Sequence, residues 1–149
     1  MAGKAKEWRK AFESDLSYVV NEMKEGIQKP AVVIITGDLG AGKTTFCKHF
    51  SGDETIISPT YALMTETRNI LHADFYRLEK PSDIEHLELE NSIEDKDYIL
   101  IEWGKKHLQA IERIVGEGHH FYELKIEINP VDSTIGPQQS RNYILKNLS

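Results

Sequence analysis

The chain has 149 residues, 40% of them hydrophobic, enough for one full core and too short for two ordinary domains, so a single domain over 1–149 is expected. A formal net charge of −6 at pH 7 argues against electrostatic binding of DNA or RNA by the chain as a whole; any RNA involved would be held by another component. The single cysteine, Cys47, excludes an internal disulfide and offers no zinc cluster, no apolar run nears the roughly 18 residues that cross a bilayer, and the charged N-terminus lacks a secretory apolar segment, so a cytoplasmic location without a membrane partner is expected.

In chain order, Phe12, Leu16, Val19, Val20, Met23 and Ile27 recur at helical steps and predict an amphipathic helix from about residue 6 to 28, closed by Gln28-Lys29-Pro30. The apolar run Ala31-Val32-Val33-Ile34-Ile35 predicts a buried strand over 31–36. Directly after it comes Gly37-Asp38-Leu39-Gly40-Ala41-Gly42-Lys43-Thr44, a complete Walker A sequence that opens a helix running through Thr45 to Phe50. A glycine-rich turn between strand and helix points successive backbone N–H groups at one spot, where the helix N-terminus adds partial positive charge. That is a phosphate cradle, in which Lys43 would reach the outer phosphates and the Thr44 hydroxyl would ligate a bridging Mg²⁺. Cys47 falls on the same helix as a small apolar filler.

A short strand is expected around 55–57, then a turn at Ser58-Pro59, an extended segment over 61–65 and a strand from Ile70 to Tyr76. Pro81 suits the start of a short helix. Tyr98-Ile99-Leu100-Ile101-Glu102-Trp103 reads as a strand buried on both faces, Lys105 to Val115 as a helix ended by Gly116 and Gly118, and Phe121–Ile128 and Asn142–Leu145 as two closing strands. Between Asp83 and Asp97 seven acids meet one lysine, either a solvated face or a docking surface for a basic partner.

A Walker A cradle needs a further carboxylate for the metal or its waters, at the C-terminal end of a neighbouring buried strand. Glu102, flush against Ile99-Leu100-Ile101, is the favoured acid, the alternative being an exposed acid that caps a strand. Asp74, after Ile70-Leu71-His72-Ala73, is the second; it would bind a metal-bound water or orient the attacking one. Lys43, Asp74 and Glu102 form the candidate catalytic set, and Thr44, Glu102 and Asp74 the candidate metal set. Ser58-Pro59-Thr60 falls where a nucleotide-sensing loop belongs, with Thr60 offering its hydroxyl or carbonyl to Mg²⁺ and the γ-phosphate. Trp103 is either packed in the core or exposed for stacking on a base or partner. His72 reads as a satisfied structural histidine.

Four segments stand in order: Gly37 to Phe46, Ser58-Pro59-Thr60-Tyr61-Ala62-Leu63, His72-Ala73-Asp74-Phe75-Tyr76-Arg77-Leu78 and Ile101-Glu102-Trp103. Together they closely resemble the TsaE (formerly YjeE) family of small bacterial ATPases of tRNA threonylcarbamoyladenosine biosynthesis, over residues 31 to about 104. The resemblance implies an α/β P-loop NTPase domain with a mixed, mainly parallel central sheet flanked by helices. It implies ATP and Mg²⁺ at the Walker A turn, from Gly37 through Thr45, a switch-like role for Ser58 to Thr60, and Asp74 and Glu102 at the metal and phosphates. It also implies Trp103 close to the site and Arg141 near the nucleotide.

In the family the ATPase acts with the TsaD and TsaB proteins, which transfer the threonylcarbamoyl group to the adenosine at position 37 of the tRNA; tRNA would thus be met indirectly through the complex, and ATP hydrolysis would reset it. Gly104 stands where many members have proline, which would loosen the turn, and Leu87-Glu88-Leu89 where Leu-Gly is common. The leading expectation is an ATPase that is slow alone and faster with partners. The alternatives are a nucleotide-gated binding module without essential hydrolysis and a small-molecule P-loop kinase. A GTPase is disfavoured because no Asn-Lys-x-Asp segment occurs.

Overall fold

The computed structural model describes residues 5–52, 58–59 and 64–149. In chain order the elements are β1 (Lys6–Ala11), α1 (Leu16–Gly26), β2 (Ala31–Thr36), α2 (Lys43–Ser51), β3 (Ser58–Pro59), β4 (Met64–Glu66), β5 (Ile70–Asp74), α3 (Pro81–Glu85), β6 (Tyr98–Glu102), α4 (Leu108–Val115), β7 (His120–Ile128) and β8 (Arg141–Asn147). All eight strands share one sheet in the order β1-β8-β7-β2-β6-β5-β4-β3.

The four central strands, β7, β2, β6 and β5, are parallel, and antiparallel strands extend the sheet on both sides. Sequence dictates the centre. β2 is apolar from Ala31 to Ile35 and β6 is apolar from Ile99 to Ile101, runs that only a position covered on both faces can bury. Alternation along β2 divides the core: Val33 and Ile35 face α1 and α2 with Val19, Met23, Phe46 and Phe50, whereas Val32 and Ile34 face the layer of Ile84, Leu89, Ile111 and Val115. The expected α/β fold with a mixed sheet, parallel at its centre and flanked by helices, is the one observed.

The N-terminal helix begins later than its periodicity suggests. Residues 6–11 form β1, antiparallel to β8 with Trp8 opposite Tyr143, and only Leu16, Val19, Val20 and Met23 of the apolar stripe lie on α1. Between them the Phe12 N–H is taken by the Asp15 carboxylate at 2.9 Å, which starts a short 3-10 turn over Glu13–Asp15. The free edge of β8 outcompetes helix propensity here, because an added strand satisfies its row of open N–H and C=O groups, and the charged Lys6, Glu7, Arg9 and Lys10 suit an edge. Trp8 then ties strand to helix by donating its indole N–H to Glu22 at 2.8 Å.

Other differences are local. β8 is longer than the expected 142–145, and β5 ends at Asp74 rather than Tyr76, so that Tyr76 stands in the turn beyond it. The strand expected at 55–57 lies outside the described residues, and the extended segment over 61–65 overlaps them only in β4. At Gly104 a Cβ would stand 2.7 Å from Ile101 Cγ2, so the backbone there runs close against the core. Glu88, in the place where Leu-Gly is common in the resembled family, has φ +53, which glycine adopts at lower cost. Glu85, Glu88, Glu90, Glu94 and Asp95 are exposed, as a solvated acidic face requires.

Candidate functional site

The C-terminal ends of β2, β5 and β6 meet at one edge of the sheet, with Ile35, Glu102 and Asp74 side by side in register. The chain leaves β2 through the glycine-rich turn and enters α2 at Lys43. Two glycines of that turn are obligatory. Gly37 has φ +147, and a Cβ there would lie 2.6 Å from the Ile126 carbonyl oxygen; Gly42 has φ +103, with Arg141 Nε 3.0 Å from where its Cβ would be. The first-turn N–H groups of α2 therefore stay accessible at the mouth of the turn, without intrahelical acceptors.

Lys43 is buried and folded back over this turn. Its Nζ donates to the Gly37 carbonyl at 2.7 Å and the Asp38 carbonyl at 2.9 Å, and lies 4.2 Å from the Trp103 ring centroid. Burial pushes the ammonium pKa down from its ordinary value, while the charges of Glu102, Asp38 and Asp74 oppose that shift. The cation is held by two dipoles and one aromatic face rather than by a formal ion pair, an arrangement from which a more negative group can draw it.

Glu102, only 3% exposed, accepts hydrogen bonds from the Thr44 hydroxyl at 3.1 and 3.2 Å, and its Oε2 lies 2.6 Å from His72 Nε2. A carboxylate so buried is tolerable because donors meet both oxygens. It is not the exposed strand cap. Asp74 lines the same cleft, its Oδ1 accepting the Tyr76 N–H at 3.0 Å, while the Phe75 N–H prolongs the strand pairing onto the Glu102 carbonyl at 2.9 Å. Trp103 has φ +60, a costly conformation for a bulky residue. It is half-buried and not a core aromatic: its ring covers Lys43 and meets Tyr76 edge-on, centroids 5.1 Å apart. Arg141, the first residue of β8, donates its Nε–H to the Ala41 carbonyl at 2.6 Å across 100 residues of sequence.

Leu39, Gly40, Gly42, Lys43, Thr44, Thr45, Asp74, Glu102, Trp103 and Arg141 thus surround one cleft of about 400 Å³. Gly37, Asp38 and Ala41 do not face it; they form the other side of the turn, against Lys125 to Ile128. Thr60 lies outside the described residues, and Ser58–Pro59 pairs with Glu66 and Thr65 at the sheet edge.

One site residue escaped the sequence reading: Tyr76 lines the cleft from the turn after β5. His72 is a satisfied histidine, as the sequence reading has it, and its partner is the central carboxylate of Glu102; its two-residue spacing from Asp74 puts both side chains on one face of β5.

A family model described as threonylcarbamoyl adenosine biosynthesis protein TsaE matches residues 11–135. The chain is 39% identical over 107 residues to the tRNA threonylcarbamoyladenosine biosynthesis protein TsaE of Rickettsia felis, covering 64% of this chain and 62% of that protein. It is 47% identical over 88 residues to the protein of the same name from Rickettsia typhi, covering 52% and 60%. The Bacillus subtilis protein of that name is 35% identical over 94 residues, covering 57% and 58%. The chain therefore spans about three fifths of the length of these relatives. In fold it is similar to the crystal structure of Bacillus subtilis YdiB, with a TM-score of 0.65, 22% identity and coverage of 100% of this chain and 88% of that one. The chain belongs to the TsaE family.

Proposed function

We propose that this chain is a Mg²⁺-dependent ATP-binding protein that hydrolyses ATP slowly alone, and that it acts in tRNA threonylcarbamoyladenosine biosynthesis with hydrolysis coupled to a TsaD–TsaB transferase complex. The observation that carries the nucleotide reading is the Thr44 hydroxyl set against the buried Glu102 carboxylate at the mouth of a glycine-rich turn whose Gly37 and Gly42 have positive φ and crowded Cβ positions. A hydroxyl and two carboxylates are the hard oxygen donors that magnesium takes, and accessible backbone N–H groups beside a mobile ammonium suit phosphate oxygens. The residues present fit both groups.

Bound Mg²⁺ would neutralise charge on the phosphate oxygens. The chain's own residues do the rest. The turn would bind phosphate through the N–H groups of Gly40 and of Gly42 to Thr45, which line the cleft, and Lys43 would move from the Gly37 and Asp38 carbonyls to the outer phosphates. Thr44 and Glu102 would hold the metal, with His72 fixing the carboxylate. Asp74, which lines the same cleft, would hold a water at the metal or orient the attacking one. Trp103 and Tyr76 wall the opening. Arg141 is the arginine lining the cleft among the described residues, and its Nε is engaged by Ala41, which supports slow hydrolysis until a partner contributes charge.

The pathway, the partners and an indirect encounter with tRNA rest on family membership and on the names of the relatives. No helix among the described residues is long and apolar enough to cross a membrane; a cytoplasmic site of action is part of the proposal. Reconstitution of tRNA threonylcarbamoylation with purified partners, with and without this chain and with ATP turnover measured alongside product, tests the reading. Product formation independent of the chain would overturn it. The engagement of Arg141 also favours weighing a nucleotide-gated binding module; Glu102→Gln that binds ATP, fails to hydrolyse it and still supports full modification would select that reading.

A further inference from the structure

Thr44 and Cys47 are three residues apart on α2 and so share one helix face, turned toward β5 and β6. His72 comes from β5 and Glu102 from β6. One ligand atom from each of Cys47, His72 and Glu102 lies within 4.8 Å of the others. Tetrahedral coordination with zinc bond lengths of about 2.0–2.3 Å sets ligand atoms roughly 3.3–3.7 Å apart, so modest side-chain rotations would close the set. A second cavity, of about 290 Å³, is lined by Cys47 and His72 with Lys48, Ser51, Thr67 and Ile70, and by Thr44, which also lines the nucleotide cleft. It offers a route for an ion and room for a water as fourth ligand. Magnesium does not take thiolate, whereas a sulfur, nitrogen and oxygen set selects zinc among common divalent cations.

We propose that Cys47, His72 and Glu102 form a zinc site that competes with the hydroxyl–carboxylate pair of Thr44 and Glu102. On binding, Zn²⁺ replaces the thiol proton of Cys47, which passes to solvent, takes a ring nitrogen of His72, and draws the Glu102 carboxylate off the Thr44 hydroxyl. Burial and the Glu102 and Asp74 charges hold the Cys47 thiol protonated well above its usual range while the ion is absent, which keeps it from reacting in the resting protein. Zinc would thereby disable the cleft by taking its carboxylate. That last consequence rests on the ATPase reading; the existence of the site does not.

The test uses the tag-free full chain without nucleotide, titrated with Co²⁺ and then Zn²⁺. Cys47 is the only cysteine, so a near-ultraviolet thiolate-to-cobalt band has one source. Expected are one cobalt per chain with that band, its loss on zinc addition, and weakening of zinc affinity by about tenfold or more in Cys47→Ser and in His72→Gln, with unfolding midpoints confirming that both variants fold. Cobalt binding without the thiolate band, no binding at micromolar metal, or unchanged zinc affinity in Cys47→Ser would overturn the site. In a separate arm, equimolar Zn²⁺ in excess Mg²⁺ should stop ATP turnover by the parent chain and spare Cys47→Ser; equal inhibition of both refutes the competition. A chain without turnover under Mg²⁺ alone refutes the ATPase reading, and the spectral result still decides the site.

Discussion

The Thr44 hydroxyl donates to both carboxylate oxygens of Glu102, at 3.1 and 3.2 Å, joining the first turn of α2 to the end of β6 across 58 residues of sequence. Glu102→Gln keeps the size of the side chain and removes its charge. On the proposed reading, Mg²⁺-dependent ATP affinity falls about tenfold, a loss near 1.4 kcal/mol, and hydrolysis falls by roughly 10²-fold or more. Calorimetric titration with and without Mg²⁺, beside a phosphate-release assay, separates the two effects. A variant with parental turnover removes Glu102 from the role assigned to it.

The glycine turn discriminates between its own positions. Gly37→Ala drives a Cβ into the Ile126 carbonyl at 2.6 Å, a backbone atom that cannot yield without moving β7, whereas Gly40 has open space and only its φ of +82 to penalise a side chain. Gly37→Ala should cost more than about 2 kcal/mol and Gly40→Ala roughly 1–2 kcal/mol. Urea unfolding of the two variants gives the order directly; the reverse order contradicts the geometry.

Arg141 braces the turn from 100 residues away through the Ala41 carbonyl. Arg141→Ala should weaken ATP binding about tenfold, or roughly 1.4 kcal/mol, and Arg141→Lys should recover little, because an ammonium cannot reproduce the fixed guanidinium fork. Equal ATP affinity in parent and Arg141→Ala would show that the contact does not organise the turn.

His119 stands just before β7 with its Nδ1 buried and unpartnered, and burial, aided by the neighbouring His120, lowers its pKa below the ordinary 6.5. The folded state therefore favours the neutral ring, while the unfolded chain takes up its proton near pH 6.5. The stability this group provides is complete above that pH and declines as pH falls toward the lowered folded-state value. His119→Phe should flatten the dependence of unfolding free energy on pH just below 6.5, measured by urea denaturation across a pH series; an unchanged slope would assign that dependence elsewhere.

Sequence alone determined what depends on local order. The apolar runs of β2 and β6 demanded a doubly covered sheet centre, and the spacing from Gly37 to Thr44 demanded a turn with accessible N–H groups. Glu102 could be chosen as the site acid because an ionised group flush against Ile99-Leu100-Ile101 needs a partner in the interior. The same logic failed at residues 6–11, where helical periodicity lost to the open edge of β8, a partner more than 130 residues away that no local window contains. Tertiary structure alone decided which side of the turn faces the cleft, that His72 grips Glu102, that Tyr76 and Trp103 form its wall, and that Cys47 approaches both His72 and Glu102. Those relationships join α2, β5 and β6 through parallel pairing, and side chains so separated along the chain meet only when the sheet has fixed their register.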